Sequence, residues 1–175
     1  YKERAINYLQ NYYPAKISEY SVAFENKPIW ITEWNLQMSK ITANTMLQAL
    51  FTTSYLLEAS TNPKLNNIEL TTFHNMAGRT LSASMLLKKK NKMHVLVTYK
   101  PMKMLSEIFQ NKDYKATTEY IGGECFKYIY RKDDKQIICW VNWSANKLRA
   151  QIPSGNWIKQ ELSAENLYST TFDKD

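Results

Sequence analysis

One octapeptide constrains this chain more than any other stretch of it: Pro28-Ile29-Trp30-Ile31-Thr32-Glu33-Trp34-Asn35. Ile29, Trp30 and Ile31 favour a strand, and an unbroken apolar run of this kind reads as a parallel strand buried on both faces. The run ends at a single carboxylate, Glu33. Open and closed α/β sheets alike place their chemistry at the carboxyl ends of their strands. Taken alone, the motif also fits a solvated acid at a strand end, so the residues that follow have to decide.

They supply the order that a reactive strand end needs. After a polar stretch from Gln37 to Lys40 comes a helical pattern from about Thr42 to Ala59, with Thr42 as the expected N-cap. Leu47, Leu50, Phe51, Ser54 and Leu57 recur at helical spacing and form one stripe, which Met46, Ala49, Leu56 and Ala59 widen. Asn62-Pro63 stops the helix, because proline cannot continue the ladder. A second strand-like run follows over Asn67 to Phe73 and ends at His74-Asn75. Strand, helix and strand with short links make one βαβ unit with parallel strands. His74 is thereby expected beside Glu33 on one rim.

Here the residues meet a family. The Ile31-Thr32-Glu33-Trp34-Asn35 segment resembles the seventh barrel strand of the retaining glycoside hydrolases of the (β/α)8 superfamily, clan A. The resemblance implies that Glu33 is the nucleophile, and that Trp34, Asn35, His74 and Asn75 bind substrate. An indole is a flat apolar surface for a pyranose ring, and an amide can bind a hydroxyl by donating and accepting. Trp34 alternates away from Glu33, which equally allows it a place in the core. His74 also fits a simple hydrogen-bonded rim residue, and Arg79 fits either a substrate contact or a loop contact. The family often has a tryptophan platform near the eighth strand, where this chain has Phe73-His74.

The next stretch, Met76 to Arg79, reads as a loop with a mixed segment through Leu87, and Lys88-Lys89-Lys90-Asn91-Lys92 reads as a solvated basic turn. A helical pattern starts at Val95 and continues through Met102, Leu105 and Phe109, with Pro101 suited to a first turn. By resemblance it is the eighth barrel helix, and Tyr99, Lys100 and Lys103 are similar to residues near that helix's start. Past Asn111 the period changes from helical to alternating, which marks a boundary between residues 1–110, a barrel portion, and residues 111–175, a β-sandwich.

Cys125 to Arg131 and Gln136 to Ser144 alternate around Asp133-Asp134. A two-residue loop there sets Arg131 opposite Gln136, Tyr130 opposite Ile137, Tyr128 opposite Cys139 and Phe126 opposite Val141. The last three pairs make one apolar face. Leu148 to Ile152, Trp157 to Leu162 and Leu167 to Phe172 read as further strands of an antiparallel sandwich. Cys139 lies on the buried face and Cys125 on the other, so the two do not suit a disulfide. Two cysteines without a spacing motif give no metal site, and no cofactor is expected.

A net charge of +7 on 175 residues raises the question of nucleic acid. The lysines are scattered, however, and no nucleic-acid module emerges; a carbohydrate substrate is the expected partner instead. No apolar run is long enough to span a bilayer, and the start does not read as a signal peptide. Export is expected from the family resemblance alone.

Retaining hydrolysis takes two carboxyl groups roughly 5–5.5 Å apart. In clan A the acid/base is the Glu of an Asn-Glu pair, and this chain contains no Asn-Glu dipeptide. A whole barrel takes about 250 residues. The expected protein is therefore a partial TIM barrel (βαβα, strands seven and eight) followed by a small sandwich, the C-terminal part of a glycosidase and inactive alone. Its exposed strand edges imply self-association, or pairing with the N-terminal part of the barrel. The rival reading is a non-catalytic carbohydrate-binding or interaction module on the sandwich, with Trp140, Trp143 and Trp157 as stacking residues; alternation puts Trp143 with the core and Trp140 on the other face.

Overall fold

The chain begins as one long helical run whose middle turn is widened: α1 (Lys2–Asn7), a π-helical stretch (Tyr8–Tyr12) and α2 (Tyr13–Ala23). The widened turn lies directly ahead of Pro14, which has no N–H for the carbonyl of Gln10 and whose ring crowds it. Ala5, Leu9, Tyr13 and Ile17, spaced every four residues, are its buried stripe. Then come β1 (Ile29–Trp34), α3 (Met46–Thr61) and β2 (Ile68–Phe73). The short β3 (Ala77–Gly78), β4 (Leu86–Lys89) and β5 (Lys92–Val95) precede α4 (Tyr99–Gln110). β6 (Lys115–Gly122), β7 (Cys125–Lys132) and β8 (Lys135–Asn142) close the regular structure. The computed structural model describes residues 1–36, 39, 41–78, 84–110, 113–122 and 124–173.

The three sheets are β1-β2, β3-β4-β5 and β6-β7-β8, and none closes into a barrel. β1 and β2 are parallel with α3 between them in sequence, the arrangement expected of a βαβ unit. They are not buried on both faces, however. Ile29 and Ile31 pack against the core while Trp30 is 62% exposed, because among the described residues no second layer covers that side of the pair.

α3 is the centre of the molecule. Leu47, Phe51, Tyr55 and Leu57 are buried on it, and so are the polar Gln48, Thr52, Ser54 and Glu58. The helix starts at Met46 with Thr45 as N-cap, not at Thr42, whose hydroxyl instead bonds Ser39. Thr45 makes no side-chain cap bond. The exposed N–H groups of the first turn are satisfied from far away in sequence: Met46 N–H donates to the Ser169 carbonyl and Leu47 N–H to that of Leu167.

The β7–β8 register is as the alternation predicts, with Tyr130↔Ile137, Tyr128↔Cys139 and Phe126↔Val141 opposite one another. Among the described residues the sheet does not face a second sheet. Its apolar side packs on α3: Tyr130 and Ser60 share a hydroxyl–hydroxyl bond of 2.7 Å, and Trp143 Nε1 donates to Ser54 Oγ at 3.1 Å. One hydrophobic cluster therefore runs from Leu9 through Leu57 to Trp143. The three strands expected within residues 148–172 are absent, and residues 143–173 hold neither strand nor helix. With the apolar face of the β6-β7-β8 sheet already taken by α3, a second sheet has no face left to cover. The tail lies across the start of α3 instead, where Phe172 packs with Met46, Ala49 and Val97.

Val95 likewise ends a strand rather than opening a helix. Lys90-Asn91 is a two-residue turn that folds β5 back on β4, and α4 starts at Tyr99 with Pro101 in its first turn. Both cysteines are free thiols.

Candidate active site

The rim where β1 and β2 end is shaped by a bulge. From Ile31↔Thr71 to Trp34↔Phe73 the first strand advances three residues and the second two, so one extra residue sits on β1. The extra residue breaks the alternation of sides. It turns Trp34 inward, onto the side of Ile29 and Ile31, and leaves Glu33 facing out. Trp34 is 8% exposed, stacks on Tyr55 with ring centroids 3.9 Å apart and meets Phe73 edge-on at 5.2 Å. It is a core residue and offers no face to a ligand. The open indole of this strand is Trp30, whose Nε1 donates to Glu69 Oε2 at 2.7 Å.

Glu33 and His74 meet across the two strand ends, Oε1 to Nδ1 at 3.6 Å, with side chains 67% and 57% exposed respectively. That separation is too long for a hydrogen bond, and the pair attracts electrostatically only when the imidazole is protonated. His74 itself is pinned through its backbone: its N–H donates to the Trp34 carbonyl at 2.9 Å, and its carbonyl accepts from Asn35 Nδ2. The peptide between His74 and Asn75 is cis.

Asn35 is thus occupied in tying the two strand ends together. Its Oδ1 accepts from the Leu36 N–H at 2.7 Å and from Gln48 Nε2 at 3.3 Å. Gln48 is fully buried, and its own carbonyl oxygen takes the Asn44 N–H at 2.8 Å. Gln48 is the residue that sequence reading missed. Its signal is there in retrospect: a long polar side chain beside Leu47 on the helix stripe has to find a buried partner. Asn75 Oδ1 is buried and without a hydrogen-bond partner among the described residues. Of the five residues expected at this site, Glu33 and His74 come together in the open, Asn35 supports them, Asn75 turns an atom inward, and Trp34 leaves for the core. Arg79 lies outside the described residues.

Of the three tryptophans of the rival reading, Trp157 is the exposed one, at 37%. Trp143 is 2% exposed and held by Ser54, Trp157 donates to the Pro153 carbonyl, and Trp140 is half-buried opposite Lys127. Among the described residues no group of three or more His, Cys, Asp or Glu side chains could hold a metal ion, and no helix is long and apolar enough to cross a membrane.

No family model matches the chain, and no curated protein or solved structure does. What the rim can do must be argued from its own chemistry. An open carboxylate can attack an electrophilic carbon or accept a proton, and the neighbouring imidazole can orient or shuttle a proton.

Proposed function

We propose that the Glu33–His74 rim is part of a retaining glycosidase site, with Glu33 as the nucleophile. The observation that carries this reading is the convergence of a carboxylate and an imidazole from neighbouring parallel strands at their carboxyl ends, 3.6 Å apart and open to solvent. In the reaction, a Glu33 oxygen bonds to the anomeric carbon as the bond to the leaving oxygen breaks, and a second carboxyl group protonates that oxygen. Water, deprotonated by the same group, then releases the sugar and restores Glu33. His74 would bind a hydroxyl of the sugar held at Glu33, and Trp30 would offer its exposed ring to an adjoining unit. The acid/base is supplied by polypeptide other than this chain, which the open edges of β1 and β2 are suited to receive. On this reading the substrate is a polysaccharide or oligosaccharide, and export of the protein is what the family resemblance implies.

The first half-reaction can be tested on the chain as it stands. A 2-deoxy-2-fluoro glycoside with a fluoride or dinitrophenolate leaving group departs without a proton, so the missing acid is not needed. Hexosyl and pentosyl probes are incubated with the chain, and intact mass and peptide mapping are read. One sugar on Glu33, absent from Glu33→Gln, is the expected result. No adduct on Glu33 with any probe, in a chain shown to be folded, sinks the nucleophile assignment.

A further inference from the structure

Lysines occur along the whole chain, but the excess positive charge is confined to one interval. No Asp or Glu lies between Glu69 and Glu107, while that interval carries Arg79, Lys88, Lys89, Lys90, Lys92, Lys100 and Lys103. Those seven basic residues equal the whole formal net charge of +7, and the rest of the chain balances at sixteen basic (23 less 7) against sixteen acidic. Four of them crowd onto one hairpin, β4–β5.

The hairpin is built to project. Its base is anchored: Ser84, Leu87, Leu96 and Thr98 are buried, Thr98 Oγ1 donates to the Ser84 carbonyl at 3.2 Å, and Leu96 N–H donates to that of Met85 at 2.9 Å. Beyond Leu87, every residue to the end of β5 is exposed. Lys89 stands directly opposite Lys92, a like-charge cross-strand pair that costs stability. None of the four hairpin lysines is ion-paired among the described residues, whereas Lys2, Lys16, Lys127, Lys132 and Lys159 each hold a carboxylate. A tip that concentrates unneutralised ammonium groups is suited to an external polyanion.

The apolar residues on the same hairpin decide which polyanion. Leu86 faces Val95 and Lys88 faces Met93, so these four share one side of the ribbon. Met93 and Val95 are 53% and 57% exposed there. Aliphatic groups among lysines gain nothing from a polyanion dissolved in water, but they partition into the headgroup–acyl boundary of a bilayer while the lysines meet its phosphates. The hairpin has no Phe, Tyr or Trp on which a nucleic-acid base could stack. We propose that the β4–β5 hairpin is a membrane-surface anchor that binds anionic phospholipid, with Lys88, Lys89, Lys90 and Lys92 as headgroup contacts and Met93 and Val95 as the inserted side chains. This does not depend on the chemistry at Glu33.

The test is co-sedimentation of the chain with vesicles of phosphatidylcholine alone and of phosphatidylcholine with phosphatidylserine, at several salt concentrations. Binding is expected only to the anionic vesicles and weakens as salt rises. Each lysine lost near an anionic surface lowers affinity by about fivefold, so Lys89→Gln with Lys92→Gln should lose about twenty-five-fold and Lys90→Gln alone about fivefold. Met93→Ser should weaken binding with the charge unchanged. A control removing Lys64 and Lys147, both exposed and outside the hairpin, should bind as the parent does. Near-ultraviolet circular dichroism verifies that each variant is folded. The proposal is overturned by an absence of anionic-vesicle binding, by an equal loss in the control, by equal binding to neutral vesicles, or by retention on RNA or a sulfated polysaccharide without binding to vesicles.

Discussion

Tyr128 on β7 donates its phenolic hydrogen to Glu58 on α3 at 2.8 Å, across seventy positions of sequence. Gln10 Nε2 reaches the same carboxylate oxygen at 2.9 Å, and Asn62 Nδ2 the other at 3.3 Å. Glu58 is 2% exposed. A carboxylate this far from water depends on its donors, so removing one leaves the group short of a partner that water cannot replace. Tyr128→Phe is expected to cost about 2 kcal/mol in urea unfolding, the range for a hydrogen bond to a charged group. Glu58→Gln in the same background should show clear non-additivity. A cost for Tyr128→Phe within about 0.5 kcal/mol, the size of an ordinary surface change, would mean that the bond is dispensable.

Adjacent residues on β1 should behave oppositely. Trp34→Ala empties a stacked core position and is expected to cost about 3–5 kcal/mol. Glu33→Gln alters an open side chain and should stay within about 0.5 kcal/mol. Denaturant titration of both variants checks the bulge directly. If the two costs are similar, the strand does not turn over at that point.

How much of this could be read from residues alone depends on how local the cause was. The β7–β8 register was legible because strand side chains alternate strictly and the two-residue loop at Asp133-Asp134 leaves a single pairing. The meeting of Glu33 and His74 was legible because a short βαβ unit has little choice but to bring both strand ends to one rim. Trp34 was ambiguous because a single inserted residue reverses inside and outside, and nothing in the octapeptide announces the bulge. The start of α3 was misplaced because its capping carbonyls belong to Leu167 and Ser169. The tail strands are absent for a tertiary reason: alternation shows that a segment can pair, not that a sheet face is left free for a second layer to cover. Gln48 was passed over because a glutamine in a helix ordinarily points to water.

The buried Cys125, the half-buried Cys139 and the buried phenols make an alkaline prediction. Burial pushes the Cys139 thiol up from 9.0 to about 12, and raises Cys125 and the hydroxyls of Tyr13, Tyr128 and Tyr130 as well. Below pH 9 both folded and unfolded chains keep these protons. Above it the unfolded chain gives them up first, so it binds fewer protons and stability falls as pH rises from about 9 to about 12. Melting temperature against pH should be flat on the neutral side and drop on the alkaline side, and Cys139→Ala should delay the onset. Alkylation of both thiols should be slow in the folded chain and fast in urea.

Asp133 opens the β7–β8 turn with φ +51°, in the left-handed region. Aspartate tolerates that region and a β-branched residue does not. Asp133→Val should therefore cost about 1–2 kcal/mol, while Asp133→Gly should be neutral or stabilising by up to about 1 kcal/mol, depending on how far strain relief outweighs lost chain stiffness. Thermal unfolding of the two variants separates them.

The polar side chains of α3 act as addresses. Gln48 is answered by Asn35 and Asn44, Ser54 by Trp143, and Glu58 by Gln10, Tyr128 and Asn62. An all-leucine helix could fill the same volume, yet it could rotate or slide by a turn and still be greasy on every side. Gln48, Ser54 and Glu58 each find their partners at only one rotation and one height. The helix is thereby indexed, and the β1–β2 rim, fastened to it through Gln48 and Asn35, inherits that index.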